Sequence, residues 1–449
     1  MSSYLEELGE FAAHLKWSDL PRAVHERLPL VVLDTIGVII AGNQLPENRG
    51  VAAMASRIGQ PGTATILGTN IRANPLFASF TNALAGVSLE LDEGNKYAAG
   101  HPSIHTLPAA LALSEEQGLP GKAFLISLLA GYEVAVRFAR ATRLRPGVHP
   151  HGNWGTIGAA VAAARLAGYT ATDMRKAINL AASLNMATHW QTCFAGGTVR
   201  NAWPGASTVN GIMAAHMVSL GFTGEPNGPA TTYGVLLGEA FSPDVTLEGL
   251  GKEFEVLRGY FKQHSCCGYN HPPIDALEQV LKEHPEIRPD QITQIVVETH
   301  SKAAALRDPA PETTLAARFS IPYAVAARVM FGQCSPAAFT EEQIRESRVR
   351  ALAQRVTVMA SPEFDAMVPY RRGARVTVET VGGRRYSAML PNPVGDSEFR
   401  AFTPDQLRDK FRRLVTEVIG RERTDQTIAL IENLEKLEGV RKLTAVLAI

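Results

Sequence analysis

The sequence predicts an α plus α+β protein, in which a large all-α helical domain carries an inserted, smaller α+β domain with an antiparallel sheet. Up to about residue 260, apolar residues recur every three to four positions, which is the spacing of helices that bury one face. Between about residues 290 and 390, apolar and polar residues alternate, as in half-buried strands. The helical pattern then returns. We therefore expect a large domain over 1–265, a small domain over 266–394, and a segment 395–449 that returns to the large domain.

The helices of the large domain have recognisable ends and contacts. The first long apolar helix is predicted to begin with Ser18 or Asp19 as its N-cap and to end at Gly42. The stretch "GTIGAAVAAARLAGY", residues 155–169, carries Gly and Ala on every face. Small residues let helix backbones approach closely, so this helix is predicted to lie at the centre of a tight bundle. The next helix is predicted to be capped by Thr172 or Asp173.

The small domain shows strand, hairpin and capping signals. Strands are predicted from Gln291 to His300 and from Arg355 onward. Two further alternating runs flank Gly382-Gly383, which predicts a β-hairpin. Helices are expected between the strands, one of them opened by Thr340 at capping-box spacing. The sequence "TPDQ", residues 403–406, has the cap, the proline and the capping-box partner of a C-terminal helix.

Composition excludes several classes of protein. Lys+Arg and Asp+Glu both number 44, so no basic excess favours nucleic acid. The four cysteines form no C-x-x-C pair and are typical of reduced thiols in a cytoplasmic protein. The N-terminus is Glu-rich, unlike a signal peptide. Asp34 and Glu133 interrupt the longest apolar runs before they reach the roughly 20 residues of a membrane span. The charged fraction, 20%, is slightly low, as expected if another subunit covers part of the surface.

The common cofactor and hydrolase motifs are missing from the sequence. There is no G-x-x-x-x-G-K-[ST], strand-borne G-x-G-x-x-G, G-x-S-x-G or H-E-x-x-H. What remains are His, Lys, Arg and Tyr residues beside Gly and Pro at the junctions of segments. They lie in four stretches: "ELDEGNKYAAGHPSIHTLPAAL", "RPGVHPHGNWGTIGAA", "GYFKQHSCCGYNHPPIDAL" and "RFSIPYAVAARVMFG".

Each of these residues also fits a purely structural explanation. His105 fits a buried polar or helix-surface residue, and Tyr323 fits a core residue with a bonded hydroxyl. Cys266 and Cys267 fit small buried hydrophobes. A metal enzyme is a further alternative, although the spacing of its possible ligands matches no known zinc pattern. Those ligands would be Asp92, His101, His105 and His149.

Taken together, the motifs resemble those of the MmgE/PrpD family. The motifs, in chain order, are "GHPS", "HPHGNWGTIGAAVAAARLAG", "VSLGFTG", "FK…CCGYNHPPIDA" and "RFSIPYAVA", and the resemblance covers nearly the whole chain, from about residue 5 to 445. The family includes 2-methylcitrate dehydratase, cis-aconitate decarboxylase and iminodisuccinate epimerase. The resemblance implies that the small domain is a lid, that the active site lies in the cleft between domains, and that the protein is a homodimer. It also implies no obligatory cofactor and no metal.

The resemblance also implies which residues carry the chemistry. It assigns catalytic roles to four residues, which are His101, His149, Lys262 and Tyr323. It assigns substrate binding to three more, which are Asp92, Arg200 and His271. A histidine suits a base that works near neutral pH, and an arginine can clamp a carboxylate.

Two positions depart from the family pattern. Relatives often read Asp-Asp-Thr where this chain reads Asp92-Glu93-Gly94, and Gly268 replaces a residue that is commonly basic or polar. These departures point away from a methylcitrate-like tricarboxylate. The resemblance therefore predicts abstraction of a proton α to a carboxylate of a small di- or tricarboxylate, most like epimerisation of iminodisuccinate. The alternatives are a 2-methylcitrate dehydratase-like hydro-lyase and a non-catalytic, carboxylate-binding dimer.

Overall fold

A computed structural model describes residues 3–60 and 62–449. The N-terminal part is mainly helical, with three short two-stranded ladders among the described residues. Its helices are α1 Ser3–His14, α2 Arg22–Gly42, α3 Pro46–Ile58, α4 Pro75–Ser88, α5 Pro102–Gln117, α6 Gly121–Ala141, α7 Gly155–Leu166, α8 Ala171–Ala181, α9 Trp190–Phe194, α10 Ala202–Ser219, α11 Gly228–Thr231 and α12 Pro243–Leu247. Its strands are β1 Ala64–Thr65, β2 Arg72–Ala73, β3 Gly94–Asn95, β4 Thr142–Leu144, β5 Gly238–Phe241 and β6 Gly259–Tyr260.

The C-terminal part combines helices with the largest sheet. Its helices are α13 His271–Glu283, α14 Ser301–Ala304, α15 Thr314–Arg318, α16 Ile321–Phe331, α17 Glu341–Arg345, α18 Ser347–Ala353, α19 Pro362–Asp365, α20 Pro404–Ile419, α21 Arg421–Glu432 and α22 Arg441–Leu447. Its strands are β7 Ile292–Thr299, β8 Val356–Ala360, β9 Ala374–Thr380 and β10 Arg385–Leu390. The predicted combination of helical and α/β structure is confirmed.

Two predicted helix starts were wrong. α2 begins at Arg22, after Pro21, because Trp17–Asp19 closes a separate 3₁₀ turn; its end at Gly42 is as predicted. α8 is capped by Thr170, whose hydroxyl oxygen accepts a hydrogen bond from the backbone N–H of Asp173. In both cases the residue that caps the helix lies a few positions from the predicted cap. The capping box at Thr403 is confirmed.

The Gly- and Ala-rich helix α7 lies at the centre of the helical part, as predicted. Every residue from Gly155 to Ala164 is buried, and α7 packs against α5, α6, α8 and α10. A Cβ built on Gly131 of α6 would lie 2.4 Å from the carbonyl oxygen of Gly158 in α7. Glycine at this crossing therefore sets how closely α6 and α7 approach.

The predicted antiparallel sheet is present, but one of its pairs of neighbouring strands is parallel. The sheet has the order β10-β9-β7-β8, with β7 and β8 parallel and the other neighbours antiparallel. A chain of helices, α14 to α18, connects β7 to β8, and such a long crossover lets a strand return in the same direction. The hairpin at Gly382-Gly383 joins β9 to β10 as predicted.

The apolar interior forms two main clusters. The larger one extends from Tyr4 to Phe261 and includes residues 407–447 of the C-terminal helices, of which α20 packs on α2. The second extends from Cys266 to Leu390 and adds Cys193 and Trp203. The division of the chain at 265 and 395, and the role of 266–394 as a lid, stay predictions.

No single helix within residues 3–60 and 62–449 is both long and apolar enough to cross a membrane. The helices α2 and α3 reach the length and apolar character of a span only when they are counted together, and a bend of 93° lies between them.

Candidate active site

A short strand pairing brings together two of the sequence stretches that carry chemistry. β3 pairs antiparallel with β6, so that Gly94 lies opposite Tyr260. Glu90 and Asp92 lie just before β3, and Lys262 lies just after β6. The pairing therefore places the acidic loop beside the lysine, although more than 160 residues separate them in the chain.

His101 occupies the N-cap position of α5 and is held by the acidic loop. Its Nδ1 donates to the backbone carbonyl of Glu93 at 2.8 Å, and Oδ2 of Asp92 lies 3.1 Å from the same nitrogen. With the proton held on Nδ1, a neutral His101 carries its basic lone pair on Nε2. Asp92 can then stabilise the positive charge that forms when Nε2 takes a proton.

Glu90 links the two cationic residues of the cluster. Lys262 Nζ lies 3.2 Å from Oε2 of Glu90 and 3.4 Å from Oδ1 of Asp92, and Arg200 forms an ion pair with Oε1 of Glu90. All four side chains are fully buried or nearly so. Glu90 also has a φ of 50°, a left-handed conformation that non-glycine residues rarely adopt. This strained residue was absent from the predicted site, although the acidic run just before "GHPS" was a signal for it.

Charges in this cluster hold its members ionised. Burial alone would raise the pKa of Asp92, but His101 and Lys262 outweigh it and hold that pKa below its usual value. Burial likewise opposes the ionisation of Glu90, and Arg200 and Lys262 lower its pKa. Burial lowers the pKa of Lys262, but the two carboxylates raise it further, so the ammonium stays charged. The cluster is a balanced set of two anions and two cations beside one imidazole.

His149 is placed as a hydrogen-bond donor and not as a base. Its ring packs against Trp190 and Trp203, with centroids 4.3 and 5.2 Å away, and its Nδ1 accepts from the backbone N–H of His151 at 3.0 Å. Burial, followed by the charge of Arg200, holds the pKa of His149 well below its ordinary value. A neutral His149 therefore carries its proton on Nε2, where it can be donated to a substrate oxygen.

His151 and His105 extend a row of imidazoles away from His101. The ring of His151 lies 5.2 Å from the rings of both His101 and His105, and 4.9 Å from that of His149. Burial lowers the pKa of His105 to about 3. Gly155 of α7 packs directly against the ring of His105, where an added Cβ would lie 2.4 Å away. His105 is thus a neutral packing residue in this structure.

Two of the predicted site residues lie outside the cluster. The hydroxyl of Tyr323 donates to the carbonyl of Ala338 at 2.7 Å, and its ring packs on Phe339 in the second core. Nε2 of His271 lies 3.3 Å from the carbonyl oxygen of Cys266, and its ring contacts that of His264. The structure therefore joins Asp92, His101, Arg200 and Lys262, with His149 nearby through His151, and does not join Tyr323 or His271 to them.

Tyr260 is a site residue that the sequence did not reveal. Its ring lies 6.3 Å from that of His101. A Cβ on Gly94 would lie 2.6 Å from the Tyr260 hydroxyl, and one on Gly268 would lie 2.9 Å from it. Gly94 and Gly268 thus make room for one phenol. Burial raises the pKa of Tyr260, so the hydroxyl keeps its proton at neutral pH.

The side chains of the cluster do not form a metal site. Within residues 3–60 and 62–449, no group of three or more His, Cys, Asp or Glu side chains is arranged to hold a metal ion. The four cysteines are buried free thiols, and burial raises the pKa of Cys267 to about 11. The chemistry available from these residues is proton transfer and electrostatic stabilisation.

A cavity of about 520 Å³ lies next to the cluster, between the helical part and the small α/β part. Val148, Pro150 and Trp190 line one side, and Tyr269 and Leu306 line the other. Trp190 also contacts His149, and it stacks with Tyr269 at 6.3 Å. Trp190 thus contacts both the cavity and His149.

Comparisons with known proteins agree with the motif pattern. The MmgE/PrpD N-terminal domain matches residues 6–245, and the MmgE/PrpD C-terminal domain matches residues 264–436. The chain belongs to the MmgE/PrpD family. The predicted family is therefore confirmed, and the two domain matches together span most of the chain.

Members of the MmgE/PrpD family that resemble this chain are enzymes. Cis-aconitate decarboxylase from Aspergillus terreus (strain NIH 2624 / FGSC A1156) is 25% identical over 474 residues, which cover 99% of this chain and 96% of that protein. The Homo sapiens cis-aconitate decarboxylase is 26% identical over 479 residues, covering 100% and 95%. The 2-methylcitrate dehydratase of Salmonella typhi is 23% identical over 421 residues, covering 85% and 84%. These names describe carbon–carbon and carbon–oxygen lyases, and the prediction of an enzyme is confirmed.

Proposed function

We propose that this protein is a cofactor-independent lyase that moves a proton at a carbon next to a carboxylate of a small di- or tricarboxylate. The observation that carries the proposal is the arrangement of Asp92 and His101. Nδ1 of His101 is held by the acidic loop, and Nε2 makes no hydrogen bond to any residue of 3–60 and 62–449. That nitrogen is free to accept or return a substrate proton.

The neighbouring residues suit the charge that develops during the reaction. A proton next to a carboxylate is very weakly acidic, because its loss places charge on an enediolate-like group. Lys262 and Arg200 supply positive charge within the cluster, and Nε2–H of His149 is available to a substrate oxygen. In a dehydration, His101 takes the proton, the C–O bond breaks, and hydroxide leaves as water with the proton that His101 then gives up. In a decarboxylation, the C–C bond breaks, carbon dioxide leaves, and protonated His101 returns a proton to the carbanion.

Epimerisation of iminodisuccinate is the second candidate. An epimerase needs two groups that exchange a proton with opposite faces of one carbon, and the close approach of Tyr260 to His101 offers such a pair. Iminodisuccinate, with two succinate halves on one nitrogen, carries four carboxylates. The balanced cluster of two anions and two cations offers such a substrate little net positive charge, so we place the lyase reactions first.

One experiment separates these reactions. The purified protein is incubated in deuterium oxide with cis-aconitate, 2-methylcitrate or a single enantiomer of iminodisuccinate, and each mixture is followed by NMR and polarimetry. Release of carbon dioxide indicates the decarboxylase, an unsaturated tricarboxylate indicates the dehydratase, and deuterium uptake with loss of rotation indicates the epimerase. Replacement of His101 by Asn is expected to reduce the rate about 10²- to 10⁴-fold, the usual contribution of a general base.

A non-catalytic, carboxylate-binding dimer makes a different prediction. It would be stabilised against heat by these acids, the stabilisation would survive His101→Ala, and no acid would be turned over. Absence of turnover and of deuterium uptake with all three compounds would contradict the proposed lyase.

A further inference from the structure

Arg372 is a buried cation without a protein partner. It follows α19 in the small α/β part and is 7% exposed. Its backbone N–H donates to the side chain of Asn392, but its guanidinium makes no hydrogen bond or ion pair with any other residue of 3–60 and 62–449. Burial of an unpaired guanidinium is costly, because the charge loses its water without gaining an anion. A position of this kind is well suited to an anionic ligand.

Two tyrosine rings hold Arg372 next to the catalytic cluster. The guanidinium carbon lies 5.0 Å from the ring centre of Tyr260 and 5.9 Å from that of Tyr269. Such contacts favour a cation over the ring face. Because Tyr260 also contacts His101, the guanidinium of Arg372 and the imidazole of the proposed base both contact the ring of Tyr260.

The other cations of the cluster already have partners. Arg200 and Lys262 are matched by the carboxylates of Glu90 and Asp92. A dicarboxylate brings two further negative charges into a buried site. Arg372 is a nearby buried cation that can balance one of them.

The space beside Tyr260 also fits this role. The Tyr260 hydroxyl occupies the room left by the missing side chains of Gly94 and Gly268, and it forms no hydrogen bond within the described part of the chain. A phenol O–H can donate to a carboxylate oxygen while the arginine beside it supplies the charge.

We propose that Arg372 and Tyr260 bind the carboxylate of the substrate that lies away from the reacting carbon, and that they thereby select polycarboxylates over monocarboxylates. The proposal rests on the proposed function only in taking the ligand to be a small polycarboxylate. It assigns both residues a specificity-determining role, and neither residue transfers a proton in the proposed lyase reactions.

Matched ligands and matched variants test this assignment. Succinate and its monoamide, succinamate, have nearly the same shape and differ by one negative charge, so both are titrated calorimetrically. We expect the unmodified protein to bind succinate more tightly, and Arg372→Gln to weaken succinate binding about 10- to 100-fold while leaving succinamate nearly unchanged. Arg372→Lys should restore part of the difference. Arg371→Gln, at the exposed neighbouring position, is the control and should change neither affinity.

The outcomes separate this proposal from the proposed function. Unchanged succinate binding in Arg372→Gln, or equal loss of both ligands, would overturn the role of Arg372. So would equal affinity of the unmodified protein for the two ligands. Thermal unfolding of the variant identifies a merely structural defect, since removal of an unpaired buried charge should not lower the melting temperature. A preference for succinate over succinamate that depends on Arg372, without proton exchange in any compound, would support the carboxylate site and contradict the proposed reaction.

Discussion

The two histidines assigned to catalysis differ in which nitrogen the protein binds, and this difference gives them different roles. Nδ1 of His101 is a donor to the acidic loop, whereas Nδ1 of His149 is an acceptor from a backbone N–H. The free Nε2 is consequently basic in a neutral His101 and protonated in a neutral His149. One residue type thus provides both a base and a hydrogen-bond donor.

At the residue scale, Tyr323→Phe separates a catalytic tyrosine from a structural one. Because its hydroxyl donates to the buried carbonyl of Ala338, we expect a loss of about 1–2 kcal/mol in the free energy of unfolding. Turnover should stay within about twofold of the unmodified protein. Denaturant unfolding and steady-state kinetics give the two values. A hundredfold fall in kcat without loss of stability would restore Tyr323 to the catalytic set.

At the element scale, the crossing of α5, α6 and α7 fixes the position of His101. Gly131 of α6 contacts Gly158 of α7 and Thr106 of α5, and Thr106 lies one turn beyond the N-cap position of His101. The helices approach so closely because neither glycine has a side chain. A change at this contact would therefore move the start of α5 and the base that it carries.

The prediction at this crossing is that Gly131→Ala destabilises the fold by about 1–3 kcal/mol, because the new methyl would meet a backbone oxygen that cannot easily move. Gly50→Ala is the matched control, since Gly50 lies in helix α3 with open space around its Cα. The control should be neutral, or stabilising by up to about 1 kcal/mol. Chemical denaturation measures both changes. Equal effects of the two substitutions would refute the close-packing explanation.

At the scale of the whole molecule, several buried histidines make stability depend on pH. Burial lowers the pKa of His105 to about 3 and that of His300 to about 4, whereas an unfolded histidine titrates near 6.5. The unfolded chain therefore binds more protons than the folded chain between these values. Stability is fully present above about pH 6.5 and is lost as the pH falls.

We expect the melting temperature to decrease steadily from pH 6.5 to pH 5. Each such histidine contributes a slope of about 1.4 kcal/mol per pH unit once the pH lies below its unfolded pKa. His105→Gln should reduce the slope by about that amount, whereas a substitution of the exposed His14 should not. Thermal melts at a series of pH values give the slopes. An identical slope in His105→Gln would show that this residue does not remain neutral in the fold.

The homodimer implied by the family stays a prediction at this scale. Three apolar side chains are each about 60% exposed: Val199 lies just before α10, and Val235 and Leu236 lie just after α11. Exposed apolar side chains of this kind often mark protein interfaces. We expect Leu236→Asp to weaken association at least about tenfold in sedimentation velocity, and Val381→Asp, at the exposed β9–β10 turn, to leave it unchanged. An unmodified protein that sediments as a monomer would contradict this.

The sequence by itself determined the family, the succession of helices and strands, the central position of α7, and four members of the buried charged cluster. These depend on local periodicity, on small residues and on contiguous motifs, all of which can be read along the chain. Only the tertiary structure decided that Tyr323 and His271 form their contacts outside the cluster, that β7 and β8 are parallel, that Glu90 pairs with Arg200 and Lys262, and that the ring of Tyr260 contacts both His101 and Arg372. Such relations depend on which distant segments pack together, and neither residue type nor spacing encodes that directly.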